Sequence, residues 1–294
     1  MIYKIVHRTT YRYKNPVSVG NHVACLTPRS LAQPHRQSAR SELRIQPRPA
    51  TRTERVDFFG NRLCFFTVQE PHRELVVEAR SEVTIESNGP TPSKDSLSWE
   101  EVARALPKDD SPAGLEAYQF AFESPRIRMQ AEFAAYALQS FTPGRPMMEG
   151  LLDLTARIHT DFRFDSKATN VRTPTEEVFK KRRGVCQDFA HLQIACLRSL
   201  NLAARYVSGY LRTYPPPGQP RLIGADVSHA WVSAFYPGIG WLDLDPTNNV
   251  VPSDGHVTLA WGRDYGDVSP LRGLILGGGS HTLKVGVDME PIES

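Results

Sequence analysis

A chain of 294 residues with 40% hydrophobic and 23% charged content has the make-up of a soluble globular protein, long enough for one large domain or two modest ones. No apolar run approaches the roughly 18 residues of a membrane span, and the opening Met1-Ile2-Tyr3-Lys4-Ile5-Val6-His7-Arg8 meets charge too early for a signal peptide. The net charge of +3 is uneven, since residues 1–55 carry 11 Lys and Arg against Glu42 and Glu54, but these basic residues stand singly beside no RNA-binding motif and read as solvated strand faces; neither nucleic acid nor a membrane is expected as a partner.

The first ninety residues read as β. Tyr3 to Tyr13 is rich in β-branched and aromatic residues, and Asn15-Pro16 is expected to end that strand. Ser41-Glu42-Leu43-Arg44-Ile45 alternates polar and apolar, Asp57-Phe58-Phe59-Gly60-Asn61-Arg62 reads as a turn, and Leu63–Val68 and Leu75–Ile85 are further strands. A β-sandwich-like module follows from this pattern, with a linker at 87–95. Helices come next. Ser124-Pro125 predicts a helix start by N-cap and first-position proline, Met147 to Phe162 carries Leu151, Leu154, Ile158 and Phe162 at spacings of three and four, and Thr175 to Phe179 is a short helix.

The segment Arg183-Gly184-Val185-Cys186-Gln187-Asp188-Phe189-Ala190-His191-Leu192 passes from a basic, glycine-broken stretch into a helical apolar stripe formed by Phe189, Leu192, Cys196, Leu197 and Leu200, with Asn201 as its end. Strands are expected at 203–211, 229–236 and 240–245, a rigid surface loop at 214–220, and a last strand at 283–287 after a flexible tail at 276–280, free to pair with either sheet.

Cys186 falls in the first turn of its helix, where unpaired N–H groups and the helix dipole favour a thiolate and can hold an oxyanion. A thiol nucleophile needs a base, and the base an orienting group. His191 is a poor base, because five helical residues turn about 140° away. His229, at the start of an apolar strand, can face the cysteine helix, with Trp231 on the same strand face as a shield and Asp226 just before it as a subsite residue. Asp243 and Asp245 compete for the third place, since both share the parity of Trp241; Pro246 leaves Asp245 at the strand tip. Cys196 reads as a core thiol. Four cysteines in so long a chain make no disulfide framework, so a reducing, cytoplasmic setting is expected. No metal and no cofactor are expected: there is no C-x-x-C or H-x-x-x-H pair, no phosphate-binding glycine loop and no EF-hand spacing.

Gly184-Val185-Cys186-Gln187-Asp188-Phe189-Ala190-His191, Ser228-His229-Ala230-Trp231 and Gly240-Trp241-Leu242-Asp243-Leu244-Asp245-Pro246-Thr247-Asn248 resemble the three core motifs of the bacterial transglutaminase-like superfamily, a relative of the papain-like thiol enzymes. His7 to Tyr13, Leu26-Thr27-Pro28-Arg29 and Asp57 to Asn61 resemble its N-terminal region. The resemblance implies an α+β fold in which the cysteine helix packs on an antiparallel sheet, and a triad of Cys186, His229 and Asp245, settling the third member. It implies a thiol enzyme acting on carboxamide or peptide bonds through a thioester, with a protein or peptide as substrate and an amine or water as acceptor. A peptidase of the same fold and a binding protein with a vestigial triad are the alternatives. The calcium dependence of animal members has no matching site. The expected organisation is a β module at 1–90, a helical connection at 91–150, a catalytic core at 151–270 and a C-terminal tail strand at 271–294.

Overall fold

The structure, a computed structural model, describes residues 1–31, 35–87, 97–213 and 227–292. Most of the 87–95 linker, the loop at 214–220 and Asp226 lie outside the described residues.

The N-terminal β module is built around one long strand, β1 (Ile2–Ala24). The others are β2 (His35–Gln46), β3 (Thr51–Val56), β4 (Arg62–Val68) and β5 (His72–Ser87), in the order β2-β5-β1-β4-β3. The first half of β1 pairs with β5 and the second half with β4, all antiparallel. Asn15-Pro16 does not end the strand, as the sequence led us to expect. The ladder to β5 breaks between Arg12 and Val17, so Pro16 sits at an irregularity where its missing N–H costs nothing.

Four helices follow: α1 (Trp99–Ala105), α2 (Pro112–Tyr118), α3 (Ala131–Leu138) and α4 (Met147–Asp161). Ser124-Pro125 does not start a helix. Ser124 and Ile127 exchange backbone hydrogen bonds in a tight turn, and α3 begins only at Ala131. The short strands β6 (Arg163–Phe164) and β7 (Arg183–Gly184) pair in parallel on either side of α5 (Thr175–Lys181), and with the bond from the Asp165 amide to the Gly184 carbonyl they fix the approach to the next helix.

That helix, α6 (Cys186–Arg198), is buried along nearly its whole length. It packs on a four-stranded antiparallel sheet of β8 (Ala204–Leu211), β9 (Val227–Tyr236), β10 (Gly240–Leu244) and β11 (His256–Gly262), in the order β10-β9-β8-β11. Phe189, Leu192, Cys196 and Leu197 share one core with Leu151, Leu154 and Ile158 of α4 and with Ala230 and Val232 of β9. Asn201, in the left-handed conformation at φ 59°, turns the chain after α6.

After α7 (Tyr265–Val268) come β12 (Leu271–Gly277) and β13 (His281–Ile292), and both return to pair with β1. The glycines between them are not a flexible tail. Gly277, Gly278 and Gly279 hold φ of 93°, 81° and 65°, which glycine alone adopts freely, and Gly278 both donates to the Pro16 carbonyl and accepts from the Asn15 amide.

The two sheets are joined by primary amides. β11 is an edge strand of its sheet, and two buried side chains of the β module complete its outer hydrogen bonds. The Gln37 amide donates to the Thr258 carbonyl at 2.7 Å and accepts from the Thr258 N–H at 2.9 Å. The Asn61 amide does the same for Trp261 at 2.8 and 3.1 Å. Tyr210, Val257 and Leu259 then share a hydrophobic core with Tyr3, Ile5, Val287 and Met289.

Candidate active site

Cys186 is the first residue of α6, preceded by an extended Val185. The Asp188 N–H donates to the Val185 carbonyl at 2.9 Å, and the N–H groups of Cys186 and Gln187 before it stand too early in the helix for an intrahelical acceptor. Asp188 secures the turn: its Oδ2 accepts from the Val185 N–H at 2.8 Å and from the Thr169 hydroxyl at 2.5 Å. Gly184 is required by that packing, because a Cβ there would lie 2.6 Å from Asp188 Oδ2. Cys186 is half-buried, whereas Cys25, Cys64 and Cys196 are buried, and burial pushes all three of those thiols up, Cys25 to about 12.

His229 sits near the start of β9 and is 5% exposed. Its Nε2 lies 2.7 Å from Asp245 Oδ2 and 3.4 Å from the Asn248 amide nitrogen, and the ring also has Cys186 as a side-chain hydrogen-bond partner. Burial alone would lower the imidazole pKa; the hydrogen bonds and charges of Asp245 and Cys186 outweigh it and raise the value to about 9. Asp245 is fully buried just past β10. Its Oδ1 accepts from the N–H groups of Thr247 and Asn248 at 2.9 and 3.2 Å. Its Oδ2 also accepts from the Asn248 amide at 2.7 Å and meets His256 Nε2 at 3.2 Å. Burial opposes ionisation, but the hydrogen bonds from His229 and His256, and then the His229 charge and Asn248, hold the carboxyl well below the usual carboxylate range.

Asp243, the competitor, turns elsewhere: its Oδ2 accepts from the Trp231 indole N–H at 3.0 Å. The pinned, fully buried indole stacks beside His229 with ring centroids 6.2 Å apart. The structure thus brings Cys186, His229, Asp245 and Trp231 together, while His191 points away and accepts from the Tyr265 N–H. Sequence reasoning assigned no role to Asn248 or His256. The stretch His256 to Trp261, with its β-branched residues, carried a strand signal that would have brought His256 to the same sheet.

Among the described residues, His229, Asp245 and His256 are the one group close enough to hold a metal, with ligand atoms within 4.8 Å of one another. Hydrogen bonds already occupy those atoms, and the 2.7 Å between His229 and Asp245 leaves no room for an ion between them.

Cys186, Gln187 and His229 open on a cleft of about 360 Å³ whose opposite wall comes from the β module and the C-terminal strands. A thiol beside an imidazole that is held by a buried carboxylate is suited to nucleophilic attack on a carbonyl.

Residues 3–84 match the bacterial transglutaminase-like N-terminal region, and residues 135–246 match the transglutaminase-like superfamily. An uncharacterised protein of Mycobacterium tuberculosis is 42% identical over 99% of this chain and 93% of that protein. A protein-glutamine gamma-glutamyltransferase of Pseudomonas aeruginosa is 34% identical over 97 residues, which are 32% of this chain and 14% of that protein. A crystal structure from Cytophaga hutchinsonii, described as that of a candidate cysteine protease, superposes with a TM-score of 0.75 at 22% identity, covering 100% of this chain and 91% of that one, and so shares its fold.

Proposed function

Because the chain belongs to the transglutaminase-like superfamily, we propose that it is a thiol enzyme acting on carboxamide or peptide bonds through a thioester on Cys186. The observation that carries this reading is the His229 imidazole held at 2.7 Å on the buried Asp245 and hydrogen-bonded to Cys186 as well. The Cys186 sulfur adds to the carbonyl carbon of a protein or peptide substrate. The Cys186 backbone N–H donates to the oxygen that takes up the negative charge. His229 passes its proton to the departing nitrogen, the C–N bond breaks, and the acyl group stays on sulfur. Water or an amine then attacks the thioester, gives its proton to His229 and releases the thiolate. Asp245 stabilises the resting imidazolium and, once His229 has given up a proton, keeps the remaining one on Nε2. A reducing compartment such as the cytoplasm suits this chemistry, because the thiol stays free there.

The acceptor, water or an amine, decides between a peptidase and a transferase, and the peptidase is the second reading.

Alkylation tests the nucleophile. Iodoacetamide should label Cys186 and leave the buried Cys196 untouched, and His229→Ala should slow the labelling at neutral pH by about tenfold or more. Labelling that ignores His229→Ala would show that the histidine does not activate the thiol. Mass spectrometry of a peptide mixture with and without added amine separates the two outcomes: shortened peptides mark hydrolysis, and amine-bearing products mark transfer.

A further inference from the structure

The face of the β module that docks against the catalytic sheet runs on past the interface and becomes one wall of the cleft. In the ladder between β1 and β13, the pairs Ile5–Met289 and His7–Val287 are buried. Side chains on this face recur every second residue, so the next two pairs, Thr9–Val285 and Tyr11–Leu283, continue it. Both pairs line the cleft that holds Cys186 and His229. There the β13 residues lose their cover: Val285 is 48% exposed and Leu283 53%. Leu271 and Tyr265 line the same space from the chain that leads into β12.

The charge pattern points the same way. No Asp, Glu, Lys or Arg side chain is among the described residues lining the cleft. His7 is hydrogen-bonded to Tyr210, and burial lowers its pKa to about 4, so it stays neutral at physiological pH. Apart from the Cys186–His229 pair, a charged substrate side chain set against Leu283 and Val285 would lose water without a counter-ion among the described lining residues, whereas an apolar one would cover Leu283 and Val285.

We propose that Tyr11, Leu283 and Val285 form a specificity subsite that takes a large apolar side chain, aromatic or branched aliphatic, next to the carbonyl attacked by Cys186. This rests on the thiol-enzyme reading above. The acyl chemistry and the choice of substrate are thus divided between the catalytic sheet and the β module with its C-terminal strand.

The test uses tripeptide chloromethyl ketones that differ only in the side chain beside the ketone. Each alkylates a thiolate with loss of chloride, and intact-mass spectrometry gives the rate at Cys186. Phenylalanine and leucine probes should react faster than aspartate and lysine probes by about tenfold or more, the discrimination one apolar pocket contact supplies. Val285→Arg and Leu283→Arg should each erase that preference and place the aspartate probe above the lysine probe. Leu274→Arg, on the 82% exposed outer face of β12, should keep the original order. Equal rates for all probes in the unaltered protein, or an order that Val285→Arg and Leu283→Arg leave unchanged, overturn the subsite while Cys186 still reacts with iodoacetamide in a His229-dependent way. If that small reagent shows no dependence on His229, the thiol-enzyme reading falls and the subsite falls with it.

Discussion

Asp245 is the most heavily bonded side chain of the site, and its surroundings set the pH behaviour to be expected. The imidazole of His229, raised from 6.5 to about 9, remains protonated through neutral pH. An enzyme that works as a thiolate–imidazolium pair then loses activity as pH rises through about 9, and the fall belongs to the coupled pair. Asp245→Asn removes the charge and one acceptor. It should lower kcat/KM by about 10²- to 10⁴-fold and move the alkaline limb down toward 6.5, as a pH–rate profile would read. Asp243→Asn keeps an acceptor for Trp231 and should move neither; a larger loss from Asp243→Asn than from Asp245→Asn, with folding intact, contradicts the assignment. Folding is linked to the same groups. The raised His229 contributes stability that is full below about 6.5 and lost as pH rises through about 9, and the depressed Asp245 contributes above its ordinary pKa and is lost as pH falls. In the sequence, helix and strand placement singled out Cys186 and His229, and the motif resemblance chose Asp245. Strand parity alone left Asp243 and Asp245 equal, because the difference lies across the sheet: Leu244 pairs with Val232, so Asp245 falls beyond the last rung, where it reaches His229.

At the scale of the element, α6 and the strands it packs on were legible because each carries its own period. α4 and α6 show apolar residues at three and four, and their ends fall within a residue or two of expectation. β1 and β12 were misjudged for one reason. Pro16 and Gly277-Gly278-Gly279 look like breakers in isolation, yet they meet across the sheet, more than 250 residues apart, and satisfy each other's backbone groups. Gly209 shows how closely the site's strands fit. It pairs with His229, and a Cβ there would stand 2.2 Å from the Val257 carbonyl oxygen and 2.3 Å from the Trp231 indole. Gly209→Ala should therefore spread β8 from β11 and tilt Trp231, costing about 1–3 kcal/mol in chemical denaturation and slowing alkylation of Cys186. Unchanged stability would mean that the strands part without strain.

At the scale of the molecule, the separation into an N-terminal module and a catalytic core that the sequence suggested understates how far the two share one interior. Tyr210 and Val257 of the four-stranded sheet lie in the core of the β module, and the last strands return to β1, a pairing no local pattern reveals. Asn61→Ala should leave the N–H and carbonyl of Trp261 without partners and cost about 1–3 kcal/mol for each group left buried and unbonded. Denaturation should still be a single transition by both tryptophan fluorescence and far-ultraviolet circular dichroism; separate midpoints would show units that fold apart. The position of those amides has one more consequence. Gln37 and Asn61 bond the outer backbone groups of β11 as a neighbouring strand would, but as side chains they cannot pass the ladder on. With the first module cut away, β11 would offer Thr258 and Trp261 as an open template beside the uncovered Val257 and Leu259, and the freed core should aggregate edge to edge with other copies of itself.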